Sequence, residues 1–495
     1  MSGKKLALFL TYFKMLIGIM VAFFFTPYLI SNLGDNGYGV YILGISFLGF
    51  LSVFELGLGD SAVRFIIKNE KSEKKGHLFF NLFALYALLS LALILLSCMA
   101  YDHLEFVFSS GFDEGEIKQF KKMFVLVVIS CVLTLLLSPF SSYLYAKEKF
   151  VFVRCVEIIA MLLTVGLIVI SFSYNVSPYN AFFATFIVLL LGVIAKLIYS
   201  LAYLKLPIEW TFIDRELIMS ISLYALPIFV VVISELIYWK LDNIIIAYTL
   251  APNFIAIYAI GLMFHKYFMA FATSISRLMT PSLIASIDDN SPIDKIVADI
   301  SNIARIQVFV VFYILFGIIL VGKDFINIWI GENYTSAYYI MLLIMVPFSF
   351  ELIGNLRNTL LQVKGLYWYR ATIVLIASFV NVLLTFQLID SLDILGVALA
   401  TSISLVLSYV ATHVMLYIKV GFNLKLFYKT TFAGYSVIFL LCLTLYIVFH
   451  CLFLPATWWA ILVKVLVFTF LYLISCWFFS FDSQLKYKVK NKFLN

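Results

Sequence analysis

The sequence predicts an all-α polytopic membrane protein of about fourteen transmembrane helices, and three observations predict it. Apolar residues make up 64% of the 495-residue chain and charged residues only 12%, about half the charged share of a soluble protein. The apolar residues fall in runs near the ~20 that a helix needs to cross about 30 Å of hydrocarbon, too long for the ~9–11-residue alternating strands of a barrel. Finally, the stretch LGDNGYGVYILG at 33–44 recurs as LAPNFIAIYAIG at 250–261, matching Asn36 to Asn253, Tyr41 to Tyr258 and Gly44 to Gly261. The same offset, roughly 217 residues, carries Lys147 of LYAKEKF onto Lys364 of LQVKGLY, as expected of transporter half-repeats.

Taken in order, the chain opens with Lys4 and Lys5 and a first span at 6–30, interrupted by Lys14. No small-x-small site follows, so a cleavable signal is not expected here. An Asn/Gly/Asp turn leads to the second span, 38–58, which ends in Phe54-Glu55-Leu56-Gly57-Leu58-Gly59 and is followed by Arg64. Windows of about 20 residues place further spans at 78–100, 123–143, 155–174 and 179–201. The next six are 223–247, 255–278, 303–321, 338–360, 371–389 and 394–417, and two more follow at 430–453 and 458–481. Pro27, Pro139, Pro227, Pro281 and Pro347 fall in or beside spans, where a proline frees a carbonyl and permits a bend. The repeat divides the chain into 1–217, 218–428 and a final 429–495 that holds two spans and a basic tail.

Charge placement orients the chain. About 25 of the 34 lysines and arginines fall in one set of alternate loops, among them Arg64, Lys68, Lys147, Lys149, Arg154, Arg277, Arg357 and the tail lysines Lys486 to Lys492. The other set holds Lys118, Lys121, Lys122 and Lys323 beside acids such as Asp113, Glu114, Glu116 and Glu332. Both termini are therefore expected in the cytoplasm, the loop 101–122 is too short for a domain, and the formal charge of +7 belongs to membrane orientation rather than to nucleic acid. The six cysteines (Cys98, Cys131, Cys155, Cys442, Cys451, Cys476) have no CxxC spacing and read as packing residues, with no disulfide framework, metal or cofactor. The sequence lacks a GxxxxGK[ST] loop, which excludes a P-loop ATPase.

A charge within a span is costly, about 2.5 kcal/mol or more, and therefore marks a cavity or a partner. Lys14 lies about eight residues, or ~12 Å, into its span and shares a small or polar face with Thr11, Gly18 and Ala22. It reads as a cavity cation for phosphate, against snorkelling to the interface. Lys266 falls near the middle of the eighth span, and Lys266, Thr273 and Arg277 line one face, a ladder for an anionic head group or else a set of ion-pair partners. Glu235, Tyr238 and Asp242 share a face of the seventh span, and the two carboxylates read as proton- or sodium-coupling groups or as static partners of Lys266. Glu55 and Arg64 read as a mouth or gate pair, against a local salt bridge and positive-inside anchoring, while Glu157, Lys196, Glu351, Arg357 and Lys464 lie nearer span ends and read as structural. His265 points away from Lys266 and reads as a packing histidine.

The block FELGLGDSAVR, the downstream LDNIIIAYTLAPNFIAIYAIG and the AKEKF loop resemble the polysaccharide flippases, the O-antigen-type branch of the multidrug/oligosaccharidyl-lipid/polysaccharide exporter superfamily. Glu55 stands where that family more usually has aspartate. The resemblance implies two six-helix lobes around a central cavity plus two peripheral helices, in the bacterial inner membrane. It also implies a substrate, undecaprenyl-diphosphate-linked oligosaccharide, moved from the cytoplasmic to the periplasmic leaflet, with membrane lipids and polysaccharide polymerase machinery as partners. A multidrug or cation antiporter and a peptidoglycan-precursor flippase of the same superfamily are the alternatives. An antiporter for cationic drugs wants an acidic cavity, whereas Lys14 and Lys266 favour an anion. A membrane glycosyltransferase wants a large outer loop or an acidic metal motif, and the sequence has neither.

Reporter fusions after Ser109, Ser177 and Asn333 are expected to report periplasm, and fusions after Ser72, Asp289 and Asn495 cytoplasm. A periplasmic signal from the last would remove the fourteen-span topology.

Overall fold

The computed structural model describes residues 3–69, 75–206, 209, 212–288, 291–451 and 456–480, and every regular element in them is helical. The loop and tail lysines Lys71, Lys74, Lys486, Lys488, Lys490 and Lys492 lie outside the described residues, as does the side chain of Arg277. The helices are α1 (Gly3–Leu51), α2 (Leu58–Lys68), α3 (Lys75–Phe108), α4 (Glu114–Leu136), α5 (Ser138–Ala146), α6 (Phe150–Tyr174), α7 (Pro178–Ile198) and α8 (Arg215–Thr249). Then come α9 (Pro252–Asp288), α10 (Ile293–Ile330), α11 (Thr335–Leu352), α12 (Leu356–Val363), α13 (Tyr367–Val420), α14 (Leu424–Thr431), α15 (Tyr435–Cys451) and α16 (Trp458–Ser475).

Two of these hold two spans each. In α1 the backbone leaves the helical region at Gly34 (φ 70°, ψ 171°), a conformation open to glycine because it has no Cβ. Before the break, Lys14 meets Glu157 and Tyr28 stacks near Phe172, so the chain runs parallel to α6. After it, Gly37 faces Pro178 and Tyr41 bonds Thr185, so the chain runs parallel to α7. Because α6 and α7 are antiparallel, with Phe152 stacked on Tyr199, α1 is a hairpin, as the Asn/Gly/Asp turn predicts. In α13 the break is Asp393 (φ 49°, ψ −137°), and Thr401 reaching back to Asn381 shows the same fold-back. Among the described residues ten helices are long and apolar enough to span; with α1 and α13 each counted as two passes and the bent pairs α8 (47° about Pro227) and α14 with α15 (53°) each as one, the passes come to about fourteen. The chain is a multi-pass membrane protein.

The internal repeat extends from sequence to element boundaries. α6 starts at Phe150 and α13 at Tyr367; the short α5 is answered by the short α12; Gly44 packs against Met123 as Gly261 packs against Ile340. Each pair is separated by roughly 217 residues, the offset of the sequence repeat.

Contacts divide the chain into Met1–Ala256 and Ile257–Asn495. In the first unit α1 packs on α4, α6, α7 and α8, and α8 also packs on α2 and α3. The turn after α8 is gripped from both sides: a Cβ on Gly39 would lie 1.9 Å from the Pro252 carbonyl oxygen, and one on Gly111 2.1 Å from that of Leu250. Near the start of α3, Asn81 accepts from the Asp214 N–H (2.7 Å). The Asp214 carboxylate in turn accepts from Leu217 N–H at the start of α8 and pairs with His77, and these bonds hold its carboxyl below the ordinary value. In the second unit α10 is the hub for α11, α14, α15 and α16. There Lys464, buried, reaches Asp324 (2.7 Å), and Tyr472 donates to the Phe309 carbonyl (2.8 Å).

Hydropathy misplaced some ends. The span expected at 38–58 stops at Leu51, because Leu56 (φ 52°) and Gly57 (φ 69°) adopt left-handed conformations that a helix cannot contain. The span expected at 123–143 breaks at Leu137, with Pro139 starting a new short helix. The expected loop 101–122 is mostly helix, α3 running to Phe108 and α4 starting at Glu114 behind an Asp113/Glu116 capping box, since capping continues helices past the apolar run. Cys98 and Cys451, expected to pack, are exposed on their helices.

Gly39→Ala is expected to destabilise the protein by about 1–3 kcal/mol, because a backbone oxygen cannot yield as a side chain does. Gly166→Ala on α6, with open space around it, is expected to leave stability unchanged or raised by up to about 1 kcal/mol. Thermal unfolding in detergent, read side by side, checks the pair.

Candidate substrate-binding site

The clearest concentration of charge among the described membrane helices is in the first unit. Lys14 Nζ on α1 donates to Glu157 Oε2 on α6 at 2.9 Å, and Arg154, one turn earlier on α6, donates to the same oxygen at 2.6 Å. Lys196 near the end of α7 lies within electrostatic reach of all three. Parallel packing of the first half of α1 with α6 brings these groups together, and the last turn of α7 comes in from the antiparallel side. Three cations thus share one carboxylate, leaving an excess of two positive charges. Lys14, Arg154 and Glu157 keep 37%, 30% and 23% of their side-chain surface open, so the cluster is accessible while shielded. An anion arriving about 4 Å from one such cation gains roughly 4 kcal/mol at an effective dielectric constant near 20, before desolvation.

Beside the cluster lies a cavity of about 1010 Å³ within the same unit. Two sequence blocks far apart in the chain form its walls: Glu55, Gly57, Gly59 and Asp60 of FELGLGD, and Lys147, Glu148 and Phe150 of AKEKF. The two breaks that hydropathy missed create it. The left-handed turn at Leu56 and Gly57 ends α1 short, and the break at Leu137 swings α5 across the opening, where Ser138 donates to Glu55 (2.8 Å) and Ser142 to the Gly59 carbonyl (3.4 Å). Gly57 is obligatory twice over: φ is 69°, and a Cβ would lie 2.9 Å from Ile228.

The other expected site residues are more scattered. Arg64 is exposed and stacks over Tyr224 (4.1 Å), so the structure does not bring it together with Glu55. On α8, Asp242 and Tyr238 are buried and Glu235 is exposed; next to Asp242, Asn243 donates to Ser46 of α1 (2.8 Å). In the second unit Lys266 is exposed on α9, Thr273 back-bonds to the Met269 carbonyl (2.9 Å), and His265 is buried against Phe348. Arg357 is buried there too, contacting His413 and lying over the rings of Tyr409 and Phe427 (5.4 and 5.0 Å). Arg154, Glu157 and Lys196 were not singled out from sequence as partners of Lys14. Their available signal was Arg154-x-x-Glu157, an i, i+3 ion pair inside the apolar start of a span.

The comparisons with known proteins agree with this architecture. A family model described as "Polysaccharide biosynthesis protein" matches residues 7–277. Among solved structures, the chain is similar to a lipid II flippase MurJ in an inward closed conformation, with a TM-score of 0.75 and 18% identity over 95% of this chain and 97% of that one. It is also similar to an inward-facing multidrug resistance MATE family transporter of the MOP superfamily (TM-score 0.63, 12% identity, 80% of this chain and 94% of that one). A third is the Vibrio cholerae MATE transporter VcmN (TM-score 0.54, 15% identity, 84% and 98%). No curated protein sequence matches significantly. At these identities the likeness to solved structures shows the fold, and the family match covers more than half of the chain, from α1 into α9: the chain belongs to the polysaccharide biosynthesis protein family.

Proposed function

We propose that the protein is a flippase for undecaprenyl-diphosphate-linked oligosaccharide units of a surface polysaccharide, moving them by alternating access from the cytoplasmic to the periplasmic leaflet of the bacterial inner membrane. The observation that carries this reading is the cluster of Lys14, Arg154 and Lys196 around the single carboxylate of Glu157. A lipid-linked sugar has three parts with different demands. Its prenyl tail can remain in lipid; its sugars need a hydrated, hydrogen-bonding path; its diphosphate needs cations held at membrane depth. The excess positive charge suits the third demand and opposes a cationic drug. Membership of a polysaccharide biosynthesis family supports the glycan, and likeness in fold to a protein named as a lipid II flippase supports a polyprenyl-linked cargo. In this reading Lys266, Thr273 and Arg277 offer a second anion-binding ladder on α9, Arg64 attracts the head group at the mouth, and Glu55, Glu235 and Asp242 serve gating or proton or sodium coupling.

The test is surface polysaccharide in a strain lacking its own flippase, with membrane levels of each variant measured in parallel. Lys14→Ala with Arg154→Ala is expected to lower export about tenfold or more, the worth of one lost charge-assisted contact. Lys14→Arg is expected to retain more export than Lys14→Gln, and Lys14→Glu least, because charge at that position is the requirement. Full export by Lys14→Ala combined with Lys266→Ala would overturn the role of both lysines and put the antiporter reading ahead.

A further inference from the structure

At places that match the cavity beside the cation cluster, the described residues of the second repeat carry a hydrogen-bonded network. At the offset of roughly 217 residues, Glu55 corresponds to Ala272, Gly59 to Ser276, Ser90 to Gln307 and Ser138 to Asn355. In the second unit those four residues form one closed network. Gln307, fully buried, donates to Ser276 (2.6 Å), reaches the Ala272 carbonyl (3.4 Å), and accepts from the Gly354 N–H (2.9 Å); Ser276 in turn bonds Asn355. In the first unit the same four places carry Ser90 on α3, Gly59, Glu55 and Ser138, of which the last three line the cavity. At these four places the first repeat therefore departs from the hydrogen bonding that the second adopts.

Its lining is specific in kind. Four serines (Ser52, Ser138, Ser141 and Ser142), Tyr145 and the acidic Glu55, Asp60 and Glu148 line it, with Lys147 as the cation on the wall. The buried Tyr86 hydroxyl, which makes no hydrogen bond of standard geometry among the described residues, lies beside Glu55 and Ser138. Hydroxyl donors and acceptors with an aromatic face are what a sugar ring requires, and about 1010 Å³ reaches the upper end of the ~300–1,000 Å³ typical of ligand sites, room for more than one ring. The cavity also lies near the cation cluster. Tyr145 on its wall is within electrostatic reach of Arg154 and Glu157, and Phe150 on its wall is one helical turn before Arg154. The two sites differ in sign: an excess of positive charge at Lys14, Arg154 and Lys196, an excess of negative charge in the cavity.

We propose that this cavity receives the sugar attached directly to the diphosphate, and that its carboxylates select neutral or amino-bearing sugars over sugars carrying a carboxylate. The inference rests on the diphosphate reading of the cation cluster. The head group is then recognised in register, diphosphate on the cations of α1, α6 and α7, first sugar among the serines and carboxylates of α5 and the end of α1. A uronic acid in that place sets a carboxylate against Glu55 and Asp60, a like-charge contact worth about a tenfold loss of affinity at close range in a hydrated site.

The experiment uses the full chain in phosphatidylethanolamine/phosphatidylglycerol nanodiscs and measures binding by calorimetry. The probes are a ten-carbon prenyl diphosphate, bare or bearing N-acetylglucosamine, glucosamine or glucuronic acid. N-acetylglucosamine and glucosamine are expected to bind more tightly than the bare diphosphate, and glucuronic acid about tenfold more weakly than N-acetylglucosamine. Glu55→Gln with Asp60→Asn is expected to bring glucuronic acid to within about twofold of N-acetylglucosamine, and Ser141→Trp, which fills the cavity, to remove the gain from any sugar. Binding of the bare diphosphate that is lost in Lys14→Ala/Arg154→Ala, with no dependence on the attached sugar in the wild type, overturns the cavity assignment alone. Absence of bare-diphosphate binding to the wild type overturns the diphosphate reading and this inference with it. The wild-type ranking is decisive without any variant folding.

Discussion

The cost of placing charge in hydrocarbon governs the first unit of this protein. A lone lysine at the depth of Lys14 is expensive, and the fold meets that cost by bringing Glu157 within 2.9 Å on the neighbouring helix. That single contact needs α1 and α6 side by side and parallel, which needs α1 to turn back at Gly34, which in turn lays its second half along α7. Yet the arrangement is not balanced. Arg154 bonds the same oxygen and Lys196 stands near, so the cations outnumber the carboxylate. A purely structural pair is closed, whereas this group carries unbalanced positive charge.

A second constraint is backbone geometry where helices stop. Residues 51–58 and 137–139 break what hydropathy reads as continuous spans, and both breaks open onto one cavity. Left-handed Leu56 and Gly57 turn the chain, Ser138 holds Glu55, and Ser142 bonds the carbonyl of Gly59. Here the strongest sequence motifs of the first repeat become intelligible. FELGLGD and AKEKF lie some ninety residues apart in the chain and face each other across the same space. In the second repeat Gln307, Ser276 and Asn355 hold the matching places with hydrogen bonds, so the same repeat positions carry different polar groups in the two units.

The pattern of apolar runs determined, without any coordinates, that this is an α-helical membrane protein of about fourteen passes, and the Asn/Gly/Asp turn located the first hairpin. Hydropathy suffices for that because in lipid every backbone group must be bonded within its own helix. The offset of roughly 217 residues likewise announced the repeat that element boundaries such as Phe150 and Tyr367 follow. Sequence also picked Lys14 and Glu55 as charges that need an explanation, since cost at depth is a local property. Only the tertiary structure decided what explains them. Glu157 lies 143 residues from Lys14, and Ser138 lies 83 from Glu55, distances over which no periodicity links one residue to another. Arg64 and Glu55, near neighbours in the chain, part company because the left-handed turn at Leu56 and Gly57 and the new helix α2 point them to different surroundings. Which helices stand side by side, and so which charges share a partner and which cavity stays open, is set by packing between elements, and that information is not carried by any one stretch of chain.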